Sequence, residues 1–241
     1  MRSLAIIPAR GGSKRIPRKN IKDFLGKPII AYSIEAAQNS GLFDEIMVST
    51  DDEEIAELAQ KLGAQVPFLR SAENSNDFAT TVDVLLEVIH HYERSGKKYK
   101  YGCCLYPTAP FITTELLTEA KKQIVENGYD CIFPILPFTY PIQRALKLGS
   151  DGRIELFQPE FLTTRSQDLT PAFHDSGQFY WFNISAIMEQ KSLWTKNTAA
   201  LTISEMDAHD IDNLEDWEIA EFKYHVKFGQ YKNKLKSNGN E

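Results

Sequence analysis

The chain opens on a short apolar run, Ser3–Ile7 (SLAII), stopped by Pro8. A continuous apolar run of this length reads as a buried strand. A polar, basic loop follows over Ala9–Asn20, and Pro28–Gln38 then sets Ile30, Ile34 and Ala37 on one helical face. Glu45–Ser49 (EIMVS) predicts a second strand. Asp51 or Asp52 is placed to cap a helix whose Ile55, Leu58, Ala59 and Leu62 recur at helical spacing before Gly63 ends it. Val66–Leu69 predicts a third strand, and Thr80–Arg94 a helix with Val82, Leu85, Leu86 and Ile89 inward. Tyr101–Leu105 predicts a strand, Thr114–Asn127 a helix ended by Gly128, and Cys131–Ile135 another strand. Strand-length apolar runs alternating with amphipathic helices imply an α/β fold, a mostly parallel sheet with helices on both faces.

The rhythm changes over Leu136–Phe173. This stretch holds Pro137, Pro141, Pro159 and Pro171, a turn at Ser150–Asp151–Gly152, and no long helical pattern. It reads as an insertion of hairpins and loops. Its Ile142, Leu146, Leu148, Ile154, Leu156, Phe157 and Phe161 exceed what the adjoining sheet can cover, so a second copy of the chain is expected to bury them. Regular pattern resumes with strands at Phe179–Asn183 and near Ala200–Ile203, and a helix at Leu214–Phe228. The expectation is one domain over 1–228 that contains a dimerisation insertion at 136–173, followed by a flexible lysine-rich tail at 229–241.

Composition narrows the class. Hydrophobic residues make up 42% and charged residues 25% of 241, which excludes disorder across the chain. No window approaches 18 consecutive apolar residues, so no membrane span is expected. Cys103, Cys104 and Cys131 are odd in number and lack metal-ligand spacing, which argues against a disulfide framework and a zinc site. With a start that turns basic after one short apolar run, unlike a secretory signal, this points to the cytoplasm. Net charge is −6, but residues 1–30 carry eight Lys/Arg against Asp23 alone, a balance of +7 that leaves −13 for the rest. An acidic body disfavours nucleic acid, and a basic N-terminal loop on it implies a local site for a polyanion such as a triphosphate.

That loop reads Ile7-Pro8-Ala9-Arg10-Gly11-Gly12-Ser13-Lys14-Arg15-Ile16-Pro17-Arg18-Lys19-Asn20. Paired glycines after a strand let backbone approach a ligand, and their N–H groups can cradle phosphate oxygens. Five cations within ten positions can offset a triphosphate. The spacing matches neither a Walker A loop nor G-x-G-x-x-G. A solvated basic loop is the competing reading; the place at a strand's carboxyl end favours a ligand site. Asp210 and Asp212 allow two readings, helix-capping aspartates before Leu214 or side-by-side carboxylates suited to a hard divalent cation. His90-His91 read as a solvated helix end, and Cys103-Cys104 as core.

The string I-P-A-R-x-x-S-K-x-x-P-x-K-N resembles the signature of the CMP-sugar synthetases, the cytidylyltransferases that activate nonulosonic acids. Val48-Ser49-Thr50-Asp51, Phe68-Leu69-Arg70 with Ser75-Asn76-Asp77, Leu105-Tyr106-Pro107-Thr108-Ala109-Pro110 and Asp210-Ile211-Asp212 resemble further motifs of that family in the same order. The resemblance implies a Rossmann-like nucleotidyltransferase fold and a homodimer. It implies that Arg10 and Lys19 contact the triphosphate of CTP, with Ala9, Gly11, Ser13 and Asn20 lining the loop, Arg70 near the nucleotide, and Asp77 and Thr80 along the cytidine. It implies that Asp210 and Asp212 hold Mg²⁺, so that Arg10, Lys19 and Asp210 are the catalytic set.

On the sugar side it implies Tyr106, Thr108, Gln178 and Tyr180, with Arg165 reaching in from the neighbouring subunit. Sialic acid synthetases carry glutamine where Tyr106 stands, and His174-Asp175-Ser176-Gly177-Gln178-Phe179-Tyr180-Trp181 resembles the H-D-x-G-Q-F-Y-W segment of pseudaminic acid cytidylyltransferases. The expected reaction joins CTP to pseudaminic acid and releases pyrophosphate. The alternatives are a sialic, legionaminic or eight-carbon sugar acid, or a glycosyltransferase with a D-x-D pair.

Overall fold

A computed structural model describes residues 1–229, so all but the first residue of the expected tail lies outside them. Strand β1 (Ser3–Pro8) runs into the basic loop, which ends in a 3-10 turn at Lys19–Ile21 and a small hairpin, β2 (Asp23–Phe24) and β3 (Lys27–Pro28). The alternating part continues through α1 (Ile29–Ser40), β4 (Glu45–Ser49), α2 (Glu53–Lys61), α3 (Thr81–Arg94), β5 (Tyr101–Leu105), α4 (Thr114–Asn127) and β6 (Cys131–Pro137). In the insertion, β7 (Leu146–Leu148) and β8 (Ile154–Leu156) pair only with each other. The chain then returns through β9 (Phe173–Asp175), β10 (Phe179–Asn183), α5 (Ile184–Gln190), β11 (Thr198–Thr202) and α6 (Leu214–Phe228).

The main sheet has the order β11-β6-β10-β5-β1-β4, with β9 also on β6. β1 is parallel to β4 and β5, and β11 to β6, while β10 lies antiparallel between β5 and β6, and β9 is antiparallel to β6. Five strands therefore run one way and two the other, a mostly parallel sheet as expected. β1 is flanked on opposite sides by β4 and β5, so a crevice opens beyond its carboxyl end, the end that carries the basic loop.

Both faces of the sheet are covered, which is why its strands read as continuous apolar runs. Ala5 and Ile7 of β1 pack with Ile30, Ile34, Leu117 and Ile124 of α1 and α4. The alternate residues Leu4 and Ile6 pack with Leu85, Val88 and Ile187 of α3 and α5. Gly102 of β5 makes room for Phe182, since a Cβ there would sit 2.4 Å from its ring. Thr80 and Thr113 cap α3 and α4, and Gly128 ends α4 in a left-handed conformation.

Three expectations change. Val66–Leu69 forms no strand: only Gln65 bridges β4, at Met47, and Pro67 then lacks the N–H that a ladder needs. The last strand lies at Thr198–Thr202, set by its register against Cys131–Ile135. Helix α5, too short for an apolar period to stand out, adds a covering element that the pattern did not reveal.

Candidate active site

A third, smaller core builds the site. Ile16 of the basic loop and Ile211, between the two aspartates, are both almost fully buried, with Phe24, Ile29, Phe111 and Trp217. Packing these two side chains in one cluster brings residues 195 positions apart onto the walls of one cleft. The cleft has a volume of about 380 Å³ and is lined by Pro8, Arg10, Ser13, Lys14, Arg15, Ile16, Lys19, Asn20 and Asp212. Buried Asn20 donates to the Arg10 carbonyl at 2.8 Å and so closes the loop on itself. The Ala9 side chain is core, and its N–H is already bonded to the Ser49 carbonyl at 2.9 Å.

The glycines divide their work. The Gly11 N–H donates to Asp51 at 2.9 Å, and a Cβ on Gly11 would meet Asp52 Oδ2 at 2.6 Å. Gly11 therefore serves close approach of the loop to the β4–α2 turn, whereas Gly12 faces open space. Of the two candidate caps it is Asp52 that caps α2, accepting from Ile55 at 3.0 Å. Arg18 takes a left-handed conformation (φ 55°), unusual for a side chain with a Cβ. Its guanidinium is held by Asp52 and Glu54, and the turn that follows directs Lys19 inward.

Every cation of the loop has a partner. Arg10 meets Asp77 at 2.9 Å, Lys14 the same carboxylate, and Arg15 meets Asp212 at 2.7 Å. The Lys19 ammonium donates to the Ile211 carbonyl. Burial pushes Lys19 below its ordinary pKa, opposed by the charges of Asp212 and Asp210. Lys14 and then Arg10 hold Asp77 below the usual carboxylate range. Arg70 is buried behind the β4 end, donating to Ser49 Oγ at 3.0 Å, and burial lowers its pKa. Thr80 caps α3 in a reciprocal pair with Asp83.

Asp210 and Asp212 lie in extended chain before α6. The Asp210 carboxyl is pushed above its ordinary value, first by desolvation and next by the Asp212 charge, while Lys19 pulls it down. Asp212 does not cap α6. The cap is Asn213, in a reciprocal pair with Asp216, so the capping reading of Asp212 is overturned by a cap one residue further on. Asp212 instead faces Arg15. Among the described residues no group of three or more His, Cys, Asp or Glu is placed to hold a metal ion.

Tyr106, just past β5, and Gln178, just before β10, come together with Tyr180 of β10. The Tyr106 N–H donates to the Gln178 carbonyl at 2.9 Å, and its ring meets that of Tyr180 edge-on at 5.6 Å. Buried Gln178 donates from Nε2 to the Asp207 carbonyl, which ties β10 to the segment leading to Asp210. Its Oε1 has no partner among the described residues. Thr108 is half-buried just past Tyr106. Arg165 stands apart in the insertion, exposed and paired with Asp168 at 2.6 Å.

Lys14, Arg15 and Asp51 join the site without having been given a role in it by the sequence. The first two were visible in the basic run, but Asp51 gains its role only through a contact 40 positions away. The three cysteines are free and buried, their thiols pushed up by burial, Cys131 to about 12. His91 stacks on Phe68 at 3.8 Å, and His90 is exposed.

Comparison with known proteins identifies the family. Residues 4–239 match the family described as Cytidylyltransferase. A pseudaminic acid cytidylyltransferase of Campylobacter jejuni is 43% identical over 226 residues, covering 94% of this chain and 97% of the relative. A CMP-N,N'-diacetyllegionaminic acid synthase of Legionella pneumophila is 32% identical over 225 residues, covering 92% and 95%. Among solved structures, a CMP:2-keto-3-deoxy-manno-octonic acid synthetase complexed with CTP superposes with a TM-score of 0.69 at 17% identity, covering 92% of this chain and 98% of that one, a likeness of fold. With a family match along nearly its whole length and relatives of this identity, the chain belongs to the cytidylyltransferase family.

Proposed function

We propose that the protein joins CTP to pseudaminic acid, a nine-carbon α-keto sugar acid, giving CMP-pseudaminic acid and pyrophosphate. One observation carries this reading: Ile16 and Ile211 share a core, so four cations of the basic loop, Arg10, Lys14, Arg15 and Lys19, and the carboxylate of Asp212 wall one cleft. The sugar is taken from the Campylobacter jejuni relative and from Tyr106 with the His174–Trp181 segment.

The anomeric hydroxyl oxygen of the sugar bonds to the α-phosphorus of CTP as the bond from that phosphorus to the α–β bridging oxygen breaks. The electron pair leaves with pyrophosphate, and the hydroxyl proton is released. No protein nucleophile is needed, so the residues act by placement and charge. Arg10 and Lys19 neutralise the triphosphate, with Ser13, Asn20 and Gly11 shaping its cradle. Triphosphate oxygens would take over the cations that Asp77 and Asp212 now occupy.

Asp210 and Asp212 are the residues that would hold Mg²⁺. Asp210, raised first by burial and next by the charge of Asp212, is the kind of carboxyl that a hard cation beside it would favour in its ionised form. The pair fits Mg²⁺ in number, since that ion commonly takes one or two carboxylates together with phosphate oxygens and water. Bound there, the ion would withdraw charge from the reacting phosphate.

The working form is proposed as a homodimer joined through the insertion, with Arg165 serving the neighbouring subunit's sugar pocket. A cytoplasmic setting is proposed as well, because three buried, unpaired thiols suit a reducing compartment. The test supplies purified protein with CTP, Mg²⁺ and, separately, pseudaminic, legionaminic and sialic acids, and follows pyrophosphate. Release is expected only with both substrates present, fastest with pseudaminic acid. No release with any sugar acid contradicts the reading.

A further inference from the structure

The four cations that line the cleft do not use their charge alike. Arg10 and Lys14 both reach Asp77, on the segment that leads into α3. The Lys19 ammonium is turned inward and donates to the Ile211 carbonyl, a neutral group. Among the described residues, Arg15 is the one cation of the four that forms an ion pair with the Asp210–Asp212 segment. Its Nη2 lies 2.7 Å from Asp212 Oδ1.

The two partners are anchored differently. Asp216 Oδ2 accepts the N–H groups of both Asp212 and Asn213, at 2.8 and 3.0 Å, so the first turn of α6 holds the backbone of Asp212. On its other side Ile211 is fixed in the core. The Arg15 side chain is 67% exposed and has no second ion pair among the described residues. When the two separate, Asp212 stays and Arg15 moves. A guanidinium matches a phosphate as well as a carboxylate, with paired N–H groups aimed at paired oxygens.

A guanidinium on Asp212 closes that carboxylate to a metal ion in two ways. It engages the oxygen that would coordinate, and it sets a positive charge beside the incoming dication. We infer that Arg15 is a latch on the metal side of the cleft: paired with Asp212 it holds off a divalent cation, and a nucleotide triphosphate opens it by drawing the guanidinium onto its phosphate oxygens. The inference rests on the reading of Asp210 and Asp212 as the residues that hold Mg²⁺. Asp212 is then freed by the same event that brings phosphate oxygens into the cleft. The chain thereby adds its own share to the coupling between nucleotide and metal, and that coupling is reciprocal.

The two halves of the latch are tested separately, in the absence of sugar so that nothing turns over. The metal half uses Mn²⁺ as the probe, with its dissociation constant read by electron paramagnetic resonance without nucleotide. Arg15→Met is expected to bind Mn²⁺ about 5-fold more tightly than wild type, the upper scale of a partly exposed ion pair. Lys14→Met should change it far less, because Asp77 already balances that charge. In an Asp212→Asn background the Arg15→Met gain should vanish, since the latch acts through Asp212. The phosphate half measures CTP binding by calorimetry in EDTA, where Arg15→Met should lose about 10-fold, the scale of one charge-assisted hydrogen bond. Mn²⁺ bound no more tightly by Arg15→Met overturns the inference. So does an equal gain in Lys14→Met, a gain that persists with Asp212→Asn, or unchanged CTP binding in EDTA. The metal reading itself is decided apart from these, by the Mg²⁺ requirement and turnover of Asp210→Asn.

Discussion

Between Arg10 and Lys19 five cations stand within ten positions, and each has found a partner inside the chain. Between Ile142 and Phe157 five large apolar side chains stand exposed: Ile142, Leu146, Leu148, Ile154 and Phe157. Both regions hold an excess of one kind of side chain. Charge can be balanced by single carboxylates reaching in from distant segments, and an incoming triphosphate can exchange with them. Apolar surface must be covered by area, and a two-stranded hairpin with both faces open offers none to spare. The first region is therefore complete for ligand exchange within one chain, and the second is the surface on which the proposed homodimer would join.

The comparison breaks most visibly at the carboxylates. Asp210→Asn should lower turnover by ~100-fold or more, the scale of losing one electrostatic stabiliser. Because Asn213 caps α6, neither aspartate is needed to start that helix, and circular dichroism and melting should stay at wild-type values. Near-normal turnover in the folded variant, with an unchanged Mg²⁺ requirement, would remove Asp210 from the proposed metal site.

The insertion gives the next effect. Leu148→Asp with Phe157→Asp places charge on the exposed hairpin and should convert a dimer to a monomer by light scattering. Arg165→Ala should leave the dimer intact and raise the sugar KM about 10-fold with the CTP KM unchanged, in line with loss of one charge-assisted hydrogen bond. A wild-type monomer at working concentration would end the dimer proposal.

The smallest effect separates a brace from a ligand within the loop itself. Arg18 does not line the cleft; it fastens the loop to Asp52, the cap of α2. The Arg18 guanidinium is the largest influence holding the Asp52 carboxyl below the usual range. A lowered carboxyl pKa contributes stability that is present at neutral pH and lost as pH falls through the native value. Arg18→Met should therefore cost about 1 kcal/mol at pH 7, the upper scale of a partly exposed pair. Its acid unfolding should begin at higher pH, and the two proteins should converge once Asp52 is protonated. An equal loss at pH 7 and in strong acid would show that the ion pair is not the cause.

What the residues reveal in advance follows the range of the interactions. Helix ends were legible where caps are local: Asp52, one of the two caps expected for α2, and Gly128 at the end of α4 act within a turn of themselves. The basic loop was legible because its cations are consecutive. Its pairings were not, since Asp77 lies 67 positions from Arg10 and Asp52 lies 34 from Arg18. Pairing direction is also nonlocal, and nothing in Phe179–Asn183 says that it runs against its neighbours. Two local rules gave wrong answers to close competitors: Pro67 ended a ladder that Val66–Leu69 would have continued, and Asn213 with Asp216 took the cap from Asp212.

The central claim is that this cleft activates pseudaminic acid with CTP, and a competition tests it most directly. Purified protein receives equal concentrations of pseudaminic and sialic acid with limiting CTP and Mg²⁺, and the nucleotide sugars formed are resolved by mass. The account predicts CMP-pseudaminic acid as the main product, with one pyrophosphate released per nucleotide consumed. CMP-sialic acid in equal or greater amount would contradict it.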